Sequence, residues 1–246
     1  MNTLLLAVSL AACACYAGSV PAQTALSEGQ RLYDLGDHRS AAAWYGQASA
    51  ADPSSAALHY DRGNALFKAG QVGKAVASYQ RAFDLDPRDS DIRQNLDFSL
   101  RRAGEELSPS GMPPLVFLAF HLLSERELAG LQWLACWLTL ILAGLCLRRA
   151  SWREKLLGGA MMAGALWIFI GLWWLAMRGV TPPHRGVIVM ASVEARSGPG
   201  ENFNVSFTAP EGRRVQILSE NGAWLEIGVL KEGVKGWVPA SAVEEI

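Results

Sequence analysis

The side chains able to do chemistry are dispersed along this chain. Four histidines, at 38, 59, 121 and 184, fall in four unrelated segments, and His121 has only Glu125 as a possible co-ligand at helical distance. No Ser/His/Asp order and no metal-ligand spacing is present, so the reading is of a chain with no catalytic constellation, no metal and no cofactor. The run Arg196-Ser197-Gly198-Pro199-Gly200 has the glycines of a phosphate loop, but no helical pattern follows to aim backbone N–H groups at an anion. Two of the four cysteines, Cys13 and Cys15, lie in an apolar leader, and Cys136 and Cys146 lie inside a long apolar run, which is no disulfide framework. What remains is recognition. Trp224 and Trp237 read either as core residues or as the walls of an exposed groove.

Those groups must be carried by elements that the hydropathy pattern defines. Two uncharged apolar runs, 128–147 and 156–177, each have the length needed to cross the roughly 30 Å core of a bilayer as a helix. The stretch between them, 148–155, carries Arg148, Arg149, Arg153 and Lys155, which the positive-inside rule assigns to the cytoplasmic side. Trp133 and Trp137 early in the first run, with Trp173 and Trp174 late in the second, predict an aromatic belt at the other face. Gly159, Ala160, Ala163 and Gly164 have small-xxx-small spacing that permits close helix approach. Residues 1–22 read as a secretory signal peptide, with Val20-Pro21-Ala22 as a cleavage site and Leu10-Ala11-Ala12-Cys13 as a competing lipidation motif. The expected location is a bacterial inner membrane, with both flanking domains periplasmic and 148–155 cytoplasmic. Net charge is −1 over 246 residues, with no basic face standing out, which argues against nucleic acid as a partner.

Residues 23–107 repeat with a period of 34: Gly29, Leu32, Gly36, Ala41, Tyr45, Ala48, Asp52 and Pro53 recur as Gly63, Leu66, Gly70, Ala75, Tyr79, Ala82, Asp86 and Pro87. Pairs of antiparallel helices follow, with small residues where the two helices cross and a proline ending the second. The segment resembles the tetratricopeptide repeat family, with units at 22–55 and 56–89 and a capping helix over 90–106. Two departures stand out. Ala25 or His59 replaces Trp near the start of the first helix, and Glu28 or Arg62 replaces Leu three residues later, which predicts loose packing there. The resemblance implies a concave face lined by Leu26, Gln30, Tyr33, Asp34, Tyr60, Asn64, Phe67 and Lys68, of which Tyr33, Tyr60, Asn64, Phe67 and Lys68 are the candidate partner-binding residues. Residues 108–127 read as a linker and an interfacial segment, ending in the capping box Ser124-Glu125-Arg126-Glu127.

Past Pro183 the apolar period changes from 3.6 to 2, and six short strands between 186 and 246 suit a small β-barrel. Val193-Glu-Ala-Arg-Ser-Gly-Pro-Gly200, Asn221-Gly222-Ala223-Trp224 and Gly236-Trp237-Val238-Pro239 resemble the bacterial SH3-like domain, in which Trp224 and Trp237 would flank a groove. Ala242 stands where signalling SH3 domains place a tyrosine, which argues against a PxxP ligand. The expected class is therefore a multidomain α plus β membrane protein: a tetratricopeptide array, a transmembrane helical hairpin and a C-terminal SH3-like β-barrel. In this order the parts resemble the BatE proteins of bacterial aerotolerance operons. That resemblance implies a non-enzymatic scaffold in the bilayer, partnered by Bat proteins with von Willebrand A domains and associated with a MoxR-type ATPase. A cell-wall sensor binding peptidoglycan peptides is the alternative.

The charge pattern generates a topology test. A reporter active only outside the cytoplasm is expected to be active when fused after residue 107 or 246 and silent within 150–152. The reverse pattern would place both domains in the cytoplasm.

Overall fold

The computed structural model describes residues 22–107, 113–148, 150–180, 184–229 and 232–246, so the leader, Cys13 and the cleavage site lie outside the described residues. Five helices stack in chain order: α1 (Ala22–Asp34), α2 (His38–Ala51), α3 (Ala56–Lys68), α4 (Val72–Leu85) and α5 (Ser90–Arg102). Helices α2, α3 and α5 start where a side chain can take the free N–H groups of the first turn. Asp37 accepts from Ser40 N, Ser55 from Leu58 N, and Asp89 from Asp91 and Ile92 N. Helix α4 is the exception: Gln71 makes no side-chain cap, and Gly73 N donates instead to Glu211 at 2.8 Å, from the far end of the chain.

The sequence period is a packing period. The ring of Tyr45 lies where a Cβ on Gly29 would sit (2.7 Å), and the ring of Tyr79 does the same to Gly63 (2.6 Å), so each unit closes a tyrosine onto a glycine of its own first helix. Ala41, Ala75 and Ala82 are fully buried at the crossings. Gly36, Gly70 and Gly104 adopt φ of +80°, +80° and +74°, the left-handed turn that ends α1, α3 and α5. Asp37, Gln71 and Glu105 then donate their N–H to Leu32, Leu66 and Leu100. Helix α5 thus has the form of the first helix of a third unit, beyond the simple cap expected. At the expected weak points the chain compensates: His59 is buried with Nε2 on the Pro53 carbonyl at 3.3 Å, and Arg62 reaches out of the array to Glu244 at 3.2 Å.

A short helix, α6 (Pro114–Phe120), leads into α7 (Glu125–Arg148) and α8 (Ala150–Val180), both long and apolar enough to cross a membrane by length and composition. Ser124 and Glu127 form the reciprocal capping box, Ser124 N donating to Glu127 Oε2 at 2.9 Å and Glu127 N to Ser124 Oγ at 3.3 Å. The two helices meet antiparallel at heptad steps: Glu125 pairs with Arg178 (2.9 Å), Gln132 lies on Gly171, and Thr139 on Gly164. Of the small residues, Ala163 is buried and Gly164 faces Thr139, but Gly159 faces open space, because the seam passes one side of that stripe. The basic stretch is not an extended loop: α8 begins at Ala150, so Ser151 to Lys155 continue the helix beyond the apolar run. The belt also differs from expectation. Trp133 and Trp137 face outward, whereas Trp173 and Trp174 pack into the hairpin beside Leu128 and Ile170, with the Arg178 guanidinium 4.3 Å above the Trp174 ring.

The C-terminal domain comprises β1 (Arg185–Ile188), β2 (Ser192–Arg196), β3 (Val205–Pro210), β4 (Arg214–Asn221), β5 (Trp224–Val229), β6 (Val234–Pro239) and β7 (Val243–Glu245). They form one antiparallel sheet in the order β3-β2-β6-β5-β4-β1-β7. The expected closed barrel is thereby corrected to an open sheet with a strand more than the sequence suggested. The added strand, β7, pairs with β1 and occupies the edge that closure would need. The Glu211-Gly212 turn bonds to Ala191 and Ile188 and so does not extend a ladder between β3 and β4. Ile188, Val193, Ala195, Val215, Leu225, Ile227 and Val238 fill its core.

The sheet lies on the array. Val187 belongs to the buried core of the helices, and Ile246 packs against it. Gly63→Ala, which forces a methyl into the Tyr79 ring, is expected to destabilise the solubilised protein by about 1–3 kcal/mol in denaturant titration. Gly130→Ala, which meets open space, is expected to stay within about 0.5 kcal/mol of wild type. Equal effects would invalidate the crossing geometry.

Candidate recognition surfaces

The five residues proposed for partner binding lie on α1 and α3, and two of them, Tyr60 and Asn64, are drawn into one lattice with α4 and α5. Tyr79 Oη donates to Asn64 Oδ1 at 2.7 Å, and Asn95 Nδ2 donates to Asn64 Oδ1 and Tyr60 Oη, both at 3.0 Å. The Tyr60 and Tyr79 rings are 5.9 Å apart. Asn64 Oδ1 therefore takes two donors, and the two amides and two phenols form one hydrogen-bonded cluster. Burial raises the pKa of Tyr60 and of Tyr79, so both hydroxyls stay protonated as hydrogen-bonding groups at neutral pH.

Phe67 is half-buried and meets Phe98 at 5.6 Å, with the Arg102 guanidinium 5.8 Å from its ring. Phe98 is 58% exposed while Ser99 is buried, which places the phenylalanine on the open side of α5 and the serine in the core. Asn95 and Phe98 were not among the candidate site residues read from the sequence. The signal was available, since Asn95 and Phe98 fall on the first helix of the third unit, and the 34-residue glycine period at Gly104 reveals that helix. Lys68 is exposed. Tyr33 stands apart from the lattice, half-buried against His38 at 4.9 Å. Gln30 Nε2 donates to Asp34 at 2.7 Å, and the Leu26 side chain lies outside those described. Arg101 is held by Asp97 at 2.9 Å, so of the two arginines near the end of α5 it is Arg102 that lies over Phe67.

Asp61 sits half-buried on α3, and burial pushes its carboxyl up to about 6. Its charge in turn helps raise the phenol of Tyr45 to about 12, after burial itself, and contributes to the upward shifts of Tyr33, Tyr60 and Tyr79.

On the sheet, both tryptophans are half-buried on the face away from the core, so of the two alternatives neither is a core residue. Leu225, Ile227 and Val238 point inward, so Trp224, Glu226 and Trp237 share the outer face, with Trp237 paired to Glu226 on one side and Arg196 on the other. The physical reason is the strict alternation of a pleated strand: a residue next to a core valine must turn outward. Glu226 is fixed between Lys235 (3.1 Å) and Ser219 (3.0 Å), whose hydrogen bonds lower its pKa. Arg196 donates to the carbonyls of Glu201 and Phe203, both at 2.9 Å, and Phe203 covers Gly198 and Gly200. That loop is built around its arginine, leaving no empty anion cradle. Ala242 is buried.

Residues 26–90 match the tetratricopeptide repeat family model, and residues 191–244 match the bacterial SH3 domain model. YrvJ of Bacillus subtilis (strain 168), named as a candidate N-acetylmuramoyl-L-alanine amidase, is 40% identical over 52 residues, which are 21% of this chain and 10% of that protein. This chain thus spans about a tenth of the relative's length. Among solved structures, a MamA RS-1 ArsTM double mutant shares 27% identity over 33% of this chain and 46% of that one, with a TM-score of 0.32. MamA 41-end from Desulfovibrio magneticus RS-1 shares 26% over 34% and 47%, with a TM-score of 0.33. The chain joins tetratricopeptide repeats to a bacterial SH3 domain through two apolar helices.

Asp61 gives a pH test of the array. An unfolded aspartate titrates near 3.9, so between that value and about 6 the folded chain holds a proton that the unfolded chain has lost. Stability therefore falls as pH rises through this window. Asp61→Asn is expected to raise Tm at neutral pH and to lose that advantage near pH 4. An equal change at both would show a solvated carboxylate.

Proposed function

We propose that this protein is a non-enzymatic scaffold of the BatE type, anchored in a bacterial inner membrane by α7 and α8, with its array and sheet domain in the periplasm. The observation that carries the reading is the rigid lattice of Tyr60, Asn64, Tyr79 and Asn95 beside the half-buried Phe67 and the exposed Phe98. A surface with fixed polar groups next to an aromatic anchor is suited to an extended peptide segment of a protein partner, such as a Bat protein with a von Willebrand A domain. Support for the membrane comes from the outward apolar side chains of α7 and α8, among them Trp133 at 67% and Leu134 at 68% exposure. The capped start of α7 and the helical cations between the spans agree with a hairpin whose turn is cytoplasmic.

A second reading has its own support. Trp224 and Trp237 on the outer face of the sheet, and the likeness to a protein named for cell-wall amidase activity, favour peptidoglycan as a ligand of the sheet domain.

One pair of variants separates the two. Asn95→Ala with Phe98→Ala is expected to weaken co-purification with a Bat-type partner at least about thirtyfold, the loss of about 2 kcal/mol typical of an anchor, and to leave retention on purified sacculi unchanged. Trp237→Ala is expected to spare the partner. If Trp237→Ala instead removes co-purification while the double variant retains it, the sheet is the recognition module.

A further inference from the structure

We propose that the C-terminal sheet is the end cap of the repeat array, occupying the place of a missing second helix and held there by an arginine–carboxylate latch. Helix α5 is the first helix of a third unit by its cap, its leucine and its left-handed glycine: Ser55 and Asp89, Leu66 and Leu100, Gly70 and Gly104 are equivalent pairs. Among the described residues the helix that follows it, α6, is only seven residues long, too short for the second helix of a unit. Instead Leu107, Phe117, Val187 and Ile246 close on the helical core, and the Gly212 turn presses against Ala103 and Val76.

The two units differ in what their outer helices face. In α2, Arg39, Ala43 and Gln47 are exposed; their equivalents in α4, Gly73, Ala77 and Arg81, are buried or half-buried under the sheet. Where Asp37 caps α2 with its own side chain, α4 is capped by Glu211 of the sheet domain. Around this contact the charges alternate in sign across the interface. Glu244 accepts from Arg81 at 2.7 Å and pairs with Arg62 at 3.2 Å, and Arg81 also reaches the Glu245 carbonyl. Asp84 pairs with Arg185 at 2.9 Å, and Glu105, only 10% exposed in its side chain, takes Arg213 at 3.5 Å and Arg214 at 3.3 Å. Isolated surface pairs contribute little, but these are partly shielded, share carboxylates and frame an apolar contact, so they set orientation as well as attraction. The array and the sheet are one cooperative unit, and neither is an independent module on a tether.

The test uses the full chain in detergent, with a protease site placed within 181–183 and an affinity tag within 108–112. After cleavage, the 184–246 fragment is expected to stay with the captured membrane part at low salt and to be released by about 1 M salt, where screening acts within roughly 3 Å. Glu244→Arg is expected to release it at low salt. Asp84→Arg is expected to weaken retention and Asp84→Arg with Arg185→Asp to restore it, a rescue that misfolding would not give. Release is expected to remove hydrogen-exchange protection from α4 before α1. A wild-type fragment that dissociates at low salt as readily as the Glu244→Arg fragment would overturn the latch. A fragment whose release leaves α4 protected would overturn the cap.

Discussion

Helix α4 is enclosed along most of its surface, with only Asp84 exposed, and that enclosure is the constraint from which the rest of the molecule follows. Gly73, Ala75, Val76, Ala77, Ser78, Tyr79, Gln80, Ala82 and Phe83 are all buried, a run with no solvent-facing stripe. An amphipathic outer helix of a repeat leaves one face in water. Here α3 and α5 cover one side, the sheet covers another through β1 and β7, and Phe83 meets Phe117 and His121 at the head of the hairpin. Small residues make this possible. Gly73 leaves no room for a Cβ against the Ile188 carbonyl and Glu211, so the helix and the sheet backbone touch directly.

That single helix also explains how soluble and membrane parts are joined. Just past its end Arg88 pairs with Glu127 at 2.7 Å in the first turn of α7, while His121 Nδ1 donates to the Phe117 carbonyl at 2.9 Å and lays its ring on Phe83. The chain leaves α6 with Leu115 80% exposed on the side away from this contact, an apolar group suited to the headgroup boundary. Contacts of α4 with α7 and with β7 are thus made on one rigid element, and the array needs no flexible stalk to hold its orientation.

Because the sheet takes the outer side of α4, the first-helix face of α1, α3 and α5 stays open. The lattice of Tyr60, Asn64, Tyr79 and Asn95 is built from side chains on α3, α4 and α5 at once, so it is preorganised only while α4 holds its place: Tyr79 is the α4 residue whose hydroxyl fixes the rotamer of Asn64. Fixing a hydrogen-bonding group before binding lowers the ordering cost that a partner would otherwise meet. The packing of α4 and the preorganisation of the lattice are one energetic problem.

Much of this was legible in the residues. The 34-residue period, the apolar runs and the alternation after residue 186 are local patterns, and a local pattern determines a helix pair, a long apolar helix or a strand whatever lies around it. The period marked Gly29/Tyr45 and Gly63/Tyr79 as a small residue and an aromatic at fixed places, but that each ring closes on the glycine of its own unit was decided by the helix crossing. Arg62 at a leucine position read as a departure from the repeat, since its partner, Glu244, is far along the chain, and nothing local marks Glu211 as the cap of Gly73. The closed barrel was expected because strand periodicity is blind to edges; β7 became a strand through pairing with β1, and its edge is occupied by the array. Trp224 and Trp237 face outward because Leu225, Ile227 and Val238 claim the inside, and only the register between β5 and β6 shows which of two alternating sets that is. By itself the sequence determined the elements and their apolar faces, which depend on neighbours a few residues away. Only the tertiary structure decided that the array ends on the sheet, because the charges and the cap that join them lie more than a hundred residues apart and no periodicity links them.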